Sequence, residues 1–584
     1  MSTHTKPVSI EGKMFKRRGA WFGLFQFGVM PGAPPEFSEP VFYLGTLHGM
    51  AALAPDKNRL ITISATYNGD KLPHTLDARP AELTLKTERG DIRFTFAGTS
   101  MILAEGDPGM GLRFEKTMAQ HETVHKRKNG AWEAFFRLTC SVVFKGLEGS
   151  SFDFNDGASP WDPEKLTSGE IYGVTHPAPD GRFTLVMEES TYGGVVRDTY
   201  PTYAGARASM QADWDEFIEA MPVFAEPYEK TREECEYTLW SFLTSPYGAA
   251  RHTMIQMFAG VMASQWQLCQ NAVALAEHTD LALDLLLSPI DRIGAQGQLP
   301  DMYDDMQCES LMVKPPMHGW AVLEIMKRFD LLKACSRERV EKLYDGIGRW
   351  ADWFLTCRDE DGDGLPTLIH SDETGLDDCS LWANHLEITT PDVAAYLILL
   401  FEAAAELAKA LGKPQSELAA WQAKSKNTLS QLISVLWDGE RFAGLLPETR
   451  ELIYSDSIIH YMPVILGDRL PKEILDKLVA DLSDTKTFFS PWGIASEKMT
   501  SPLFSPFGWG RGCVLPPAML YIVTGLWDTR HRAIAKTAAE NYCKTLGETN
   551  FPFFIDPKTG AGMYYGCSWS NCAYTVLGRL ISEG

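Results

Sequence analysis

"EAMPVFAEPYEK", residues 219–230, marks the point where the hydrophobic period of the chain changes. Before it, apolar residues tend to alternate. "RLITISATY" (59–67), "AELTLKTE" (81–88), "DIRFTFAG" (91–98), "AWEAFFRLTCSVVFK" (131–145) and "RFTLVMEES" (182–190) read as strands punctuated by Gly, Pro, Asn and Asp. Many short strands with turn-rich links predict an antiparallel β-sandwich over residues 1–222. After the change, apolar residues recur at three- and four-residue spacing, as in "ERVEKLYDGIGRWADWFL" (338–355). Helices are expected near 228–244, 254–275, 279–288, 317–333, 337–357, 391–411, 414–436, 455–465, 471–482, 513–525, 527–546 and 568–582. Long irregular links follow every second one. Paired helices of this kind suit a closed (α/α)6 barrel over residues 223–584 better than a repeat array, because no fixed period recurs. The fold class is therefore multidomain, β followed by α, with Pro222 and Pro227 stiffening the link.

Composition excludes several function classes. The net charge of −22 argues against nucleic acid and against adhesion to anionic membranes, both of which call for clustered Lys and Arg. No stretch approaches the roughly 20 apolar residues that span a bilayer. "KRRGAWFGLFQFGVMPGA" (16–33) has the basic-then-apolar order of a signal peptide. However, its apolar run starts late, holds Gln26 and lacks a small-x-small cleavage site, so it reads as a buried strand. The 11 cysteines are scattered and never spaced as CxxC, which suggests reduced thiols in a cytoplasmic protein. "GLEGSS" (146–151) lacks the Lys of a phosphate loop, and no dinucleotide fingerprint opens a helix, so no cofactor is expected. "DEDGDG" (359–364) fails as an EF-hand because its twelfth position is His370, and it reads as an Asp/Gly turn without metal. Oligomeric state is not legible.

The long links carry the unusual residues. "GAQGQLPDMYDDMQCESLMVKPPMHGW" (294–320) holds Asp301, Tyr303, Asp304, Asp305, Glu309 and His318. "HSDETGLDDCSLW" (370–382) holds Asp372, Glu373, Asp377 and Asp378 beside Trp382. "FFSPWGIASEKMTSPLFSPFGWGRGCVLPP" (488–517) adds Trp492, Glu497, Trp509 and Arg511, and "GMYYGCSWSN" (562–571) adds Trp569. Aromatic faces stack on sugar rings, while carboxylates, Arg and His bond hydroxyls, so a carbohydrate is the expected substrate.

Five stretches, in order over residues 260–584, resemble a clan of (α/α)6 glycosidases. They are "SQWQLCQNAVALAEHTDLALDLL" (264–286), "VKPPMHGWAV" (313–322), "DEDGDGLPTLIHSDETGLDDCS" (359–380), "GIASEKMTSPLFSPFGWGRGCVLPPAMLYIVTGL" (493–526) and "FPFFIDPKTGAGMYYGCSWS" (551–570). The clan holds glycoside hydrolase families 63 and 37: processing α-glucosidases, mannosylglycerate hydrolases and trehalases. The resemblance implies an inverting glycosidase acting on an α-linked glycoside or oligosaccharide. It also places Asp377 at the general acid. Near neutral pH such an acid must hold its proton, and the neighbouring carboxyls would help it to do so. Trp266, Gln267, Tyr303, His318, Trp382, Trp509, Arg511 and Trp569 are the expected sugar contacts.

Two positions depart from the relatives. Gln267 stands where their Trp-Asp pair has a hydroxyl-binding Asp, and Phe553 stands where they carry the glutamate base. The base is then expected from another loop: Glu497 first, with Glu309 and Asp305 as the other candidates. A phosphorylase, in which inorganic phosphate attacks and no base is needed, and a sugar-binding protein without catalysis are the alternatives.

Overall fold

The computed structural model describes residues 4–27, 41–49, 58–119, 122–136, 140–155, 169–190, 197–260, 263–310 and 312–584. Residues 28–33 of the signal-like stretch, 137–139 of an expected strand and 261–262 of an expected helix lie outside them.

The first half folds as two eight-stranded antiparallel sheets. One runs, in spatial order, Met14–Phe15, Phe22–Phe27, Val41–Thr46, Arg59–Tyr67, Met110–Thr117, Glu170–His176 and Ser151–Phe154, with Asp70–Leu72 also paired to Arg59–Tyr67. The other runs Thr123–Lys126, Trp132–Phe136, Cys140–Leu147, Phe183–Ser190, Met101–Gly106, Asp91–Ala97, Glu82–Lys86 and Thr75–Arg79. Alternating burial along Arg59–Tyr67 shows why its sequence takes this form, since one side chain in two must leave water. Aromatic side chains join the facing sheets. Phe114 meets Phe144 edge-on at 5.2 Å, and Phe42 meets Phe94 at 5.9 Å.

Helix α1, Tyr203–Ala220, lies where only strands and a link were expected. Thr202 caps it by accepting a hydrogen bond from the Gly205 amide. Its buried residues Tyr203, Ala206, Met210, Trp214, Phe217 and Ile218 repeat with helical period. The helix packs against Asp91–Ala97 and Met101–Gly106, two interior strands of the second sheet, and Trp214 packs on Trp240 of the next helix at 5.6 Å.

From there the chain is helical: α2 (Arg232–Phe242), α3 (Gln265–Ala274), α4 (Thr279–Ile290), α5 (His318–Met326), the one-turn α6 (Leu331–Ala334), α7 (Arg337–Cys357), α8 (Pro391–Ala410) and α9 (Gln415–Leu436). A 3₁₀ segment, Ile458–Arg469, precedes α10 (Lys472–Leu482), α11 (Pro516–Trp527), α12 (Arg532–Glu548) and α13 (Ser568–Glu583). The expected helix 254–275 is shorter, because Met254–Ile255 and Ala263–Ser264 are strands. Packing follows a ring. α3 touches α5, α5 touches α8, α8 touches Ile458–Arg469, that segment touches α11, α11 touches α13, and α13 returns to α3. α2, α4, α7, α9, α10 and α12 lie against this inner set.

Sequence separates the two kinds of helix. In α8, 16 of 20 residues are buried, whereas α9 buries only Trp421, Ser425, Thr428, Leu432 and Leu436 along one stripe. A helix apolar on all sides is stable only when surrounded, and α8 is contacted by α5, α7, α9 and Ile458–Arg469. α5 approaches α8 so closely that a Cβ on Gly319 would lie 2.3 Å from the Leu400 amide nitrogen. Long links lead into the start of each inner element, and their small strands and loops meet at that end. Ser457 bridges to Glu497, Val514 to Ile555, and Phe258 to Cys567.

The halves are tied by buried polar contacts. His48 lies between Asp305 (2.7 Å) and Glu189 (3.3 Å), and Gly49 donates its amide to Asp305 at 3.0 Å. The His48 ring stacks on Trp21 at 5.0 Å and meets Tyr247 at 4.8 Å. Burial would push this histidine down, but its two carboxylate partners more than reverse that and raise it to about 9. Asp305, one of the candidate bases, is thus bound to a histidine of the sheet half.

Candidate active site

The loop between α7 and α8 turns sharply after Glu373, whose carboxylate is clasped by Arg358 at 2.6 and 3.1 Å. Gly375 follows in the left-handed region (φ 72°), with the Trp266 ring in the space that a Cβ would need. Next comes Asp377. Its amide donates to the Trp509 carbonyl (3.1 Å), its side chain is 38% open, and its carboxyl hydrogen-bonds Asp372. Lys314, from the link before α5, donates to Asp372 Oδ1 (2.7 Å), to the Asp372 carbonyl (2.8 Å) and to Asp377 Oδ1 (3.3 Å).

The electrostatics divide this carboxyl pair. Burial raises Asp377, Lys314 pulls the other way, and the hydrogen bond and negative charge of Asp372 add to the rise, to about 8. Burial also works on Asp372, but Asp377 and Lys314 together hold it below the usual carboxylate range. Lys314 is held above the ordinary ammonium value because Asp377, Asp301 and Asp372 outweigh its burial. Asp301 is pushed up to about 6, chiefly by burial, and accepts from the Ser264 hydroxyl at 3.2 Å. Glu309 pairs across a short strand with Met302, beside Asp301. Sequence reasoning left Lys314 unassigned. The available signal was one cation opening "KPP" among acidic links.

Aromatic rings border this cluster. Trp509 lies 5.7 Å from Phe553 and 5.5 Å from Tyr564. Phe553 stacks on Trp569 (5.1 Å, 16°), and Trp569 meets Trp266 at 5.1 Å. Trp266 and Trp569 are almost wholly buried, and Trp266 donates to the Tyr521 hydroxyl at 2.7 Å. Trp509 is partly open. Arg511 reaches Asp378 at 3.6 Å with its side chain 37% open. Trp382 ends a 3₁₀ turn, Ser380–Trp382, with its indole nitrogen unpartnered.

Glu497 lies in the same loop cluster but fully buried, its two oxygens accepting from Ser380 and Ser501, both at 2.7 Å. Burial raises it despite those hydroxyls. Three expected sugar contacts face protein partners instead. Gln267 donates to Ser568 (2.7 Å). His318 lies between Cys269 and the Leu286 carbonyl, and burial lowers it to about 4. Tyr303 is buried under the Arg292 guanidinium at 4.6 Å. In "DEDGDG", Asp359, Asp361 and Asp363 bring carboxylate oxygens within 4.8 Å of one another. Arg450 pairs with Asp361 and Asp363 there, and Asp359 accepts from the Gly364 amide (2.9 Å).

The chain is similar to a mannosylglycerate hydrolase of glycoside hydrolase family 63 from Thermus thermophilus, solved in complex with glucose. Identity is 18%, the match covers 59% of this chain and 99% of that one, and the TM-score is 0.51. A family 92 α-mannosidase from Bacteroides thetaiotaomicron matches over 97% of this chain and 82% of its own at 10% identity, with a TM-score of 0.57. At such identities the likeness is one of fold, and the second match extends it across the sheets. No curated protein sequence matches the chain. The profile of the mannosylglycerate hydrolase MGH1-like glycoside hydrolase domain matches residues 263–570. More than half of the chain carries that domain, every group around Asp377 described above falls within it, and the chain belongs to this family of glycoside hydrolases.

Proposed function

We propose that the protein cleaves an α-linked glycoside or oligosaccharide with inversion, in an (α/α)6 barrel formed by residues 223–584 beside a β-sandwich of residues 1–222. Asp377 is the general acid. The observation that carries this reading is the partly open Asp377 carboxyl bonded to Asp372, which holds its proton to about pH 8 and can therefore give it to a departing glycosidic oxygen. Glu497 activates the attacking water once Ser501 or Ser380 releases one of its oxygens, and Glu309 is the second candidate. Trp509, Arg511 and Trp382 contact the sugar, with Trp266 and Trp569 supporting the aromatic side. Relatives in fold are named for mannosylglycerate and for α-mannosides, so α-mannosides are the first substrates to test. Proton magnetic resonance of the first free sugar formed decides the stereochemistry: β-mannose from an α-mannoside supports inversion, and α-mannose overturns it.

One observation favours a second reading. Phe553 fills the position where relatives place a base and stacks within the aromatic group. A phosphorylase needs no base there. Turnover that requires inorganic phosphate and yields a sugar 1-phosphate would establish it, and saturable sugar binding without turnover would mark a binding protein.

A further inference from the structure

Lys314 has no donor to spare. Its side chain is 9% exposed, and its three N–H groups match three acceptors within the protein: Asp372 Oδ1 at 2.7 Å, the Asp372 carbonyl at 2.8 Å and Asp377 Oδ1 at 3.3 Å. A sugar hydroxyl therefore cannot be its partner in this arrangement. The two carboxyls it touches also bond each other, which requires one proton between them, since two carboxylates offer only acceptors. Which carboxyl owns that proton is a question of geometry. The ammonium is nearer the Asp372 carboxylate, at 2.7 Å against 3.3 Å for Asp377, and is fixed beside it by the Asp372 carbonyl, while Asp377 is the more open of the two, at 38% against 18%. The other charged groups nearby are Asp301 beyond Lys314, His370 beside Asp372, and Asp378 with Arg511 beyond Asp377.

We propose that Lys314 is a positioning residue that keeps Asp372 as the ionised member of the pair, and so reserves the shared proton for Asp377. The catalytic use of that proton rests on the function proposed above, but its location does not. In turnover the O–H bond of Asp377 breaks as the glycosidic oxygen takes the proton. The new Asp377 carboxylate is then already within reach of the Lys314 ammonium, and solvent restores the proton afterwards. Lys314 also pulls against protonation of Asp377 across their 3.3 Å contact, and by the same attraction it stabilises the anion that the transfer leaves behind.

The test needs no substrate. Infrared titration of the whole protein follows protonated carboxyls, and the band lost in Asp377→Asn belongs to Asp377. In the wild type that band should persist past neutrality and disappear near pH 8. Asp372→Asn removes the negative neighbour and leaves Lys314 to Asp377 alone, so the band should vanish about one to three pH units lower. Lys314→Gln keeps a donor but removes the charge, and the band should persist to higher pH. These opposite displacements are what a merely structural lysine would not give. A band lost in Asp372→Asn but kept in Asp377→Asn would place the proton on the wrong carboxyl and overturn the inference. So would midpoints that stay put or move in the same direction. If the band behaves as expected but Asp377→Asn retains wild-type turnover, the proposed function fails and the proton assignment stands.

Discussion

The His48 contact between the two halves should make the protein lose stability on the alkaline side of neutrality. His48 is 1% exposed and is raised from 6.5 to about 9 by Asp305 and Glu189. At about 1.4 kcal/mol for each pH unit, that difference is worth roughly 3 kcal/mol. The folded value is the higher one, so the contribution is complete below about pH 6.5, where His48 is charged in both folded and unfolded chains. It is lost as pH rises through about 9, where folding must hold a proton that the solvent no longer supplies. Asp305→Asn preserves the shape and leaves an oxygen for the Gly49 amide, but removes the negative charge that faces His48 Nδ1. Denaturant unfolding of both proteins at pH values from about 6 to 10 reads the effect. The wild type should exceed the variant most at about pH 6, by up to roughly 3 kcal/mol, and the gap should narrow steadily from about pH 6.5 and be largely gone by about pH 9. The His48 ring protons, followed by magnetic resonance, should titrate near 9 in the wild type and lower in the variant. A gap of constant size across that range, or a wild-type His48 titrating near 6.5, would refute the reasoning.

The remaining expectations concern the site and the ring. Asp377→Asn should lower kcat on an unactivated α-mannoside about 10²–10⁴-fold with little change in KM, and should cost far less on an α-mannosyl fluoride, whose leaving group needs no proton. Because Asp377 must be protonated to act, kcat/KM in the wild type should fall as pH rises through about 8, and a rate still climbing at pH 9 would exclude it as the acid. Glu497→Gln and Glu309→Gln, compared on the same substrate, should differ sharply: the true base loses hydrolysis, and equal small losses from both would favour phosphate as the nucleophile. Gly319→Ala, which in an isolated helix would be stabilising, should instead cost about 1–3 kcal/mol in denaturant unfolding, because the added methyl meets the α8 backbone. No loss of stability would mean that α5 and α8 can separate.

The order of helices was legible because inner and outer ones differ in kind. α8 reads as apolar on every side, while α7 and α9 read as striped, and these patterns follow directly from how many faces each helix buries. Asp377 was legible through resemblance and through its acidic neighbours. Other features were hidden by physics that sequence spacing does not carry. α1 follows a long run of strands, and its Tyr203-to-Ile218 stripe is interspersed with small and polar residues that soften the pattern. The apolar stretch before α3 forms strands, not helix, since a short buried run has no period to distinguish the two, and Gly260 adopts φ 79° within it. Tyr303 lies in an acidic link and His318 opens α5 just beyond one, yet the Arg292 guanidinium and the Leu286 carbonyl draw them into the wall. Lys314 looks like any surface lysine until three acceptors close around it.

All the inner elements start at the end where the loops meet, and this gives the ring a polarity that belongs to the backbone rather than to any side chain. Each true helix start carries the equivalent of roughly half a positive charge, so this rim gathers unpaired amide groups while the far rim gathers unpaired carbonyls. On a chain of net charge −22, one rim can then hold a crowd of carboxyls, and draw in the oxygen-rich face of a ligand, without a matching crowd of cations. Besides Lys314, Arg358 and Arg511 among the loops, cations stand at the opposite rim, where Lys327 follows α5, Lys409 lies in the last turn of α8 and Arg469 closes the 3₁₀ segment. Substitution within the loops can rewrite which sugar is bound. It cannot reverse which end of the ring welcomes an anion, because that is set by the direction in which the chain runs.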